Sequence, residues 1–241
     1  MKMNLSAILF LSLALSPLSS VEAASITNLS LAPKVTAKKD SVELVKEKAN
    51  KGDAVAQNQL GVWYYTGKNV KQDYKVALDW WAKSAKQNNP DGIGNMAMCY
   101  QLGNGIKKDS VMAMTLYKSA IKKGNASIIP QHEKIVKNSG SVFSARLLMD
   151  CYQNGIGVKR DLKKMETYQE VLAKSGDVDA QFALALSCLN SKRSEKAAKY
   201  FALAAKKGKK EAIYYQGFLL FNGMGVEQDK EKGLALMTQA A

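Results

Sequence analysis

Histidine occurs once in these 241 residues, arginine three times, cysteine three times and proline four times. Each scarcity excludes something. A lone His132 leaves no second ligand for a histidine-based zinc site and no partner for a Ser-His-Asp or Cys-His arrangement, and it reads as an exposed residue of a short helix. Cys99, Cys151 and Cys188 are too few, and odd in number, for a disulfide framework. They read as small buried apolar residues, although spacing alone does not decide whether one bridge forms. Gly-x-Ser-x-Gly, His-Glu-x-x-His and P-loop patterns are missing. The carboxylate pairs Asp177/Asp179 and Glu166/Glu170 have ordinary solvent spacing and give no acid–base signal. The expectation is a protein that is not an enzyme and has no cofactor and no metal.

Long apolar runs are also scarce. Leu5–Leu18 is the one present, it follows Lys2, and it is too short to span a bilayer. With Val21 and Ala23 behind it in a small-x-small pattern, residues 1–23 are expected to be a signal peptide cleaved near Ala23. That places the mature chain in the periplasm or outside the cell. The first cysteine is Cys99, far from the apolar run, so no lipid anchor is expected. No later stretch is long and apolar enough to be a transmembrane segment. Residues 24–38, with Pro33 and several lysines, read as a flexible tail.

What is abundant is lysine, and the formal net charge is +14. That bias favours acidic partners, anionic lipid surfaces or polyanions. Arginine supplies the planar forks that read phosphates and base edges. With only Arg146, Arg160 and Arg193 present, specific nucleic-acid binding is not expected.

Glycine recurs with a period. TGKNVKQD (66–73), LGNGIKKD (102–109), YQNGIGVKRD (152–161) and FNGMGVEQD (221–229) are versions of one stretch. Their aspartates, Asp73, Asp109, Asp161 and Asp229, lie 36, 52 and 68 residues apart. The second interval is one period plus an insertion, and the third spans a degenerate unit as well. Before each loop runs a segment with apolar and small residues at helical spacing, as in Ala56, Leu60, Gly61 and Tyr64. Seven and eight residues past Asp73 sit Trp80 and Trp81 in a second helical segment, the matching places hold Leu116–Tyr117, Tyr168–Gln169 and, in the degenerate unit, Tyr200–Phe201, and a small residue follows at Ala85, Ala173 or Ala205. Gly124, Gly176 and Gly208 close three units as C-caps. The aspartate is placed to cap the second helix. The glycine pair supplies positive φ at the turn, and Asn69 replaces one glycine as the side chain that best tolerates that region. The loop therefore reads as a turn between helices, and a phosphate cradle would have called for another glycine.

The alanine, Leu-Gly and aromatic positions (Ala56, Leu60, Gly61, Tyr64) and the G-x-G-V-x-x-D stretch (Gly155, Gly157, Val158, Asp161) resemble the Sel-1-like repeat family, relatives of tetratricopeptide repeats. The resemblance covers about residues 52–241. It implies an all-α fold, a right-handed α-solenoid of helix-turn-helix repeats. The expected organisation is a capping helix at 39–52 and a solenoid at 53–241. Its units are 53–88, 89–124, 125–176 with an insertion at 126–141, a degenerate 177–208 in which SKRSEK replaces the glycine loop, and 209–241. Pro130 can start a short extra helix in the insertion. Relatives described as β-lactamase-like carry a regular cysteine pair in each repeat; that pair is missing here, so the resemblance does not carry over a hydrolase activity.

In such solenoids the first helices line a concave binding side. At 100° per residue, the face opposite Ala56, Leu60 and Tyr64 holds Asn58, Val62 and Tyr65. The matching positions are Met98 and Gln101, then Arg146, Asp150 and Gln153, then Phe182 and Leu186, then Tyr214, Phe218 and Phe221. This row turns from polar to aromatic along the chain, and aromatic residues and arginine are common interface anchors. A second candidate is a basic edge of Lys107, Lys108, Lys159, Arg160, Lys163 and Lys164 beside the loops. The resemblance implies a non-catalytic scaffold or adaptor of the bacterial cell envelope. Its partner is another protein, acidic to suit the charge: an envelope component, a host factor or a toxic effector. In the last case the chain would be a periplasmic immunity protein against a type VI secretion effector such as a phospholipase.

Overall fold

The computed structural model describes residues 39–241. The expected leader and tail lie outside the described residues. Twelve helices follow one another: α1 (Lys39–Asn50), α2 (Ala54–Thr66), α3 (Tyr74–Lys86), α4 (Pro90–Leu102), α5 (Ser110–Lys122), α6 (Ile128–Ser139), α7 (Val142–Asn154), α8 (Leu162–Lys174), α9 (Val178–Asn190), α10 (Ser194–Lys206), α11 (Lys210–Asn222) and α12 (Lys230–Ala240). No strand occurs among the described residues. The chain divides into two compact units, the first ending at Ser139 and the second running from Gly140 to Ala241. Each is built from helix hairpins of the α-solenoid class.

The hairpins form where the sequence places their stops and starts. In the loop after α2, Gly67 and Asn69 have φ of 72° and 68°. Asn69 is one of three non-glycine residues among those described with positive φ, as its side chain suggested. The aspartate then turns its carboxylate onto the new helix. Asp73 accepts from the N–H groups of Lys75 and Val76, Asp109 from Val111 and Met112, and Asp161 from Lys163 and Lys164. Asp229 accepts from Lys232. Each cap satisfies donors that the first turn would otherwise leave open.

Within the first unit, α1 covers one side of α2 through Ala49, Ala56, Leu60 and Trp63. Trp81 of α3 is fully buried and donates its indole N–H to the carbonyl of Asn58 at 3.1 Å. Its ring lies directly on Gly61, where any Cβ would collide with the indole, so glycine is required there. The same register position holds Tyr117 on α5, Gln169 on α8 and Phe201 on α10, all buried. The tightest small-residue positions fall one residue earlier than Ala85 and Ala205, at the fully buried Ser84, Ala120 and Ala204. Ser84 donates to the carbonyl of Ala54 at 2.6 Å, which pins α3 to the start of α2.

The insertion is a complete helix, α6, of 12 residues. It begins two residues before Pro130, and proline is tolerated in a first turn. Ile128, Ile129, Ile135 and His132 are buried on it. His132 is thus not exposed: it is 2% accessible, and its ring meets Tyr117 of α5 edge-on at 4.8 Å. Four residues on one α-helical stripe bury together, so a lone histidine travels into the core with three isoleucines.

In the second unit the degenerate repeat is held differently. Arg193 stands at the N-cap of α10, which has no side-chain cap bond. Its guanidinium instead donates to both oxygens of Glu166 on α8, at 2.6 and 3.0 Å. Lys196 adds a bond to Glu170, also on α8, at 3.1 Å. The last hairpin is joined by backbone contact: a Cβ on Gly217 would stand 2.6 Å from the carbonyl of Gly233, which is the buried residue of α12.

Candidate protein-binding face

The loops are structural turns. The N–H of each capping aspartate donates back to the preceding helix: Asp73 to Tyr64, Asp109 to Tyr100, Asp161 to Tyr152 and Asp229 to Leu220, at 2.8 to 3.0 Å. Other loop donors are used in the same way, Ile156 to Cys151 and Met224 to Leu219, both at 2.9 Å. Gln72 and Gln228 donate side-chain N–H groups to Tyr65 and Phe221. A phosphate cradle needs such N–H groups free.

The groups that could do chemistry are occupied or buried. Burial holds His132 down to about 3 from the usual 6.5, so it is neutral at ordinary pH. The Cys99 thiol is pushed up to about 12 by burial, and Cys188 is raised for the same reason. All three cysteines are buried, and none of them is in a disulfide. Glu166 is lowered chiefly by its bond from Arg193. Burial raises Glu170 and Asp177, but bonds from Lys196 and Lys174, and from the Ala180 N–H and Arg146, outweigh it and leave both lowered. These carboxylates are structural partners and offer no poised acid or base. Among the described residues no cluster of His, Cys, Asp and Glu could hold a metal ion.

The row of first-helix positions divides between the units. In the first unit it is interior. Val62, Tyr65, Met98 and Gln101 are 5%, 4%, 1% and 1% accessible, so these four cannot anchor a partner. Tyr65 shows why. Its ring packs on Tyr74 and Trp81 at 5.0 and 5.4 Å, and its hydroxyl accepts from Asn104, in the loop after α4, at 2.6 Å. Asn58 accepts from Asn95 of α4 at 2.8 Å. Asn58 and the Tyr65 hydroxyl thus reach the next hairpin, while Gln101 accepts from the Tyr117 hydroxyl within its own.

In the second unit the row is accessible. Arg146 on α7 is exposed and paired with Asp177, the N-cap of α9; Gln153 is exposed and Asp150 half-buried. Phe182 and Leu186 of α9 and Phe218 and Phe221 of α11 are half-buried, and Tyr214 is 46% accessible. Beneath them is an aromatic cluster. Phe182 meets Phe201 and Tyr215 at 5.7 and 5.9 Å, Phe201 and Tyr215 stack at 4.9 Å, and Tyr214 stands edge-on to Tyr215 at 5.8 Å. Lys209 lies over Phe182 at 5.1 Å while paired with Asp179 at 2.9 Å. Tyr215 and Lys209 were not singled out from the sequence; both flank α11 positions that were.

The basic edge is where the loops place it. Lys107, Lys108, Lys159, Arg160 and Lys163 are exposed, while Lys164 donates to the Tyr152 hydroxyl at 2.8 Å and lies over that ring. Exposed apolar residues in the first turns after the caps, Val111, Met112 and Leu162, were missed. Their signal is position: just past an N-cap, before the stripe that packs.

The Sel1 repeat family matches at residues 54–89, 90–125, 145–164, 178–209 and 210–241, more than half of the chain. Human protein sel-1 homolog 2 is 34% identical over 83 residues, which cover 34% of this chain and 12% of that protein. A sel1-like repeat-containing protein of Acanthamoeba polyphaga mimivirus is 45% identical over 51 residues, 21% of this chain and 9% of that one. The chain spans about an eighth of the length of the curated relatives it matches. Among solved structures, a Sel1 repeat protein of Oxalobacter formigenes is 23% identical with a TM-score of 0.38, covering 83% of each chain. An immunity protein of Pseudomonas aeruginosa is 17% identical with a TM-score of 0.31, covering 94% of this chain and 84% of that one. Hairpins at this period, four of them with a glycine loop and a capping aspartate, and matches to five repeats place the chain in one family: it belongs to the Sel1 repeat proteins.

Proposed function

We propose that the chain is a non-catalytic scaffold that binds a protein partner on the first-helix face of its second unit. The observation that carries this reading is Tyr214, 46% accessible yet held edge-on against Tyr215, on a stack that continues through Phe201 and Phe182. Aromatic side chains fixed before binding lose little entropy when a partner covers them, and they supply most of the energy at protein interfaces. Arg146 and Asp150 on α7, with Phe218 and Phe221 on α11, form the surround. Lysine dominates the chain's +14 charge, which favours an acidic partner through faster encounter. The leader-like start, Lys2 followed by Leu5–Leu18, supports a site of action in the envelope after export.

The test is capture of partners from envelope and secreted fractions by the parent and by a Tyr214→Ala, Phe218→Ala variant. The reading expects a partner retained by the parent and lost by the variant, with unchanged helical content. Equal capture by both would move the site elsewhere. If the lost partner is a secreted toxin, and a strain lacking this protein is killed by its siblings, the scaffold is an immunity protein; an envelope component would make it an adaptor.

A further inference from the structure

We infer that the loop edge of the first unit docks on an anionic lipid surface. Antiparallel hairpins bring the ends of α2 and α4 and the starts of α3 and α5 to one edge. The contact is close: a Cβ on Gly105 would stand 2.6 Å from the carbonyl of Tyr74, so the second loop rests on the first turn of α3. This edge carries Lys68, Lys71, Lys75, Lys107 and Lys108, all exposed. The acids among them are Asp73 and Asp109, both exposed, each with one carboxylate oxygen on the N–H groups of α3 or α5. The five ammonium groups have no ion-pair partner among the described residues, while elsewhere in the unit Lys46 and Lys51 are paired within α1. The edge's two acids cap helices instead of pairing with these lysines, and five lysines against two aspartates leave it a net +3.

Charge alone would suit any polyanion. Two further observations select a lipid surface. Apolar side chains protrude among the lysines: Val111 is 77% accessible and Met112 41%. Side chains that stand out singly suit insertion between headgroups, whereas a protein partner is anchored in pockets. The unit also contains no arginine among its described residues, so it lacks the planar fork that fixes a carboxylate in one geometry. Lysines on flexible stems suit a diffuse layer of lipid phosphates, to which each contributes separately. The pattern recurs in the second unit, where Lys159, Arg160 and Lys163 surround Leu162, 53% accessible, beside the capping Asp161.

The test is flotation of the full chain with vesicles of phosphatidylcholine alone or mixed with phosphatidylglycerol. The parent is expected to float in excess with the anionic vesicles over phosphatidylcholine alone, and salt is expected to remove that excess. Changing Lys68, Lys71, Lys107 and Lys108 to Gln is expected to weaken partitioning at least about tenfold. The same four changed to Arg should retain it. Val111→Asp should weaken it with the lysines intact. Any contribution from Leu5–Leu18 is common to parent and variants and to both vesicle types. Three outcomes would overturn the inference: no flotation with anionic vesicles at low salt, equal flotation of the Gln variant, or binding to soluble polyglutamate that is as strong and indifferent to Val111→Asp. The last would assign the edge to an acidic protein.

Discussion

Removing the Asp161 carboxylate leaves the N–H groups of Lys163 and Lys164 without their acceptor. Asp161→Ala is expected to cost about 1 kcal/mol, read as a lower urea midpoint, and Asp161→Asn much less. Asn69 is held at φ 68°, so Asn69→Gly should be neutral or stabilising and Asn69→Val destabilising in the same measurement. Both positions were legible in the sequence because their roles depend only on their own backbone. His132 was not. Its burial depends on where α6 packs, which no local pattern states. Its folded value is about 3 against 6.5 when unfolded, so below 6.5 the unfolded chain binds the extra proton. Stability from this group is complete above about pH 6.5 and is lost as pH falls toward 3. At pH 5 the loss should be roughly 2 kcal/mol relative to pH 7. A His132→Leu variant should lack this component of the difference in urea midpoint between the two pH values; an equal difference in the parent would show that the ring is not buried neutral.

At the scale of an element, the hairpin is the unit that the sequence announces, and in the four hairpins with a loop aspartate its stops and starts are there to be read. What a helical wheel does not give is the neighbour that covers each face. Val62 and Tyr65 were assigned to a binding side because they lie opposite Leu60, yet Tyr65 packs on Trp81 and Tyr74. The same positions on α11, Phe218 and Phe221, are half-buried. Identical register thus yields core in one hairpin and surface in another. The α11–α12 hairpin depends on the bare backbones of Gly217 and Gly233. Gly217→Val should overpack that crossing and lower the thermal midpoint by an amount corresponding to at least ~1–3 kcal/mol, whereas Gly223→Asn, in the loop at φ 66°, should be mild.

For the whole molecule, a chain of repeats in two compact units need not unfold uniformly. Trp81→Ala removes a fully buried ring, at a typical cost of about 3–5 kcal/mol. Hydrogen exchange should then accelerate mainly between residues 39 and 139, with the amides of 140–241 keeping most of their protection; uniform acceleration would mean one cooperative body. The repeat period was visible in the sequence because it is carried by glycine and aspartate, whereas the division into units, which falls just after the inserted α6, has no local signal of that kind. Arg193 adds a different kind of constraint. A hairpin capped by its own aspartate carries its start signal with it and can be copied, moved or deleted as a cassette. The α9–α10 hairpin has given that signal up for a fork to Glu166 on α8, so its integrity is written partly in the preceding hairpin. Gene duplication could multiply the other repeats one at a time, but this one is heritable intact only together with its neighbour.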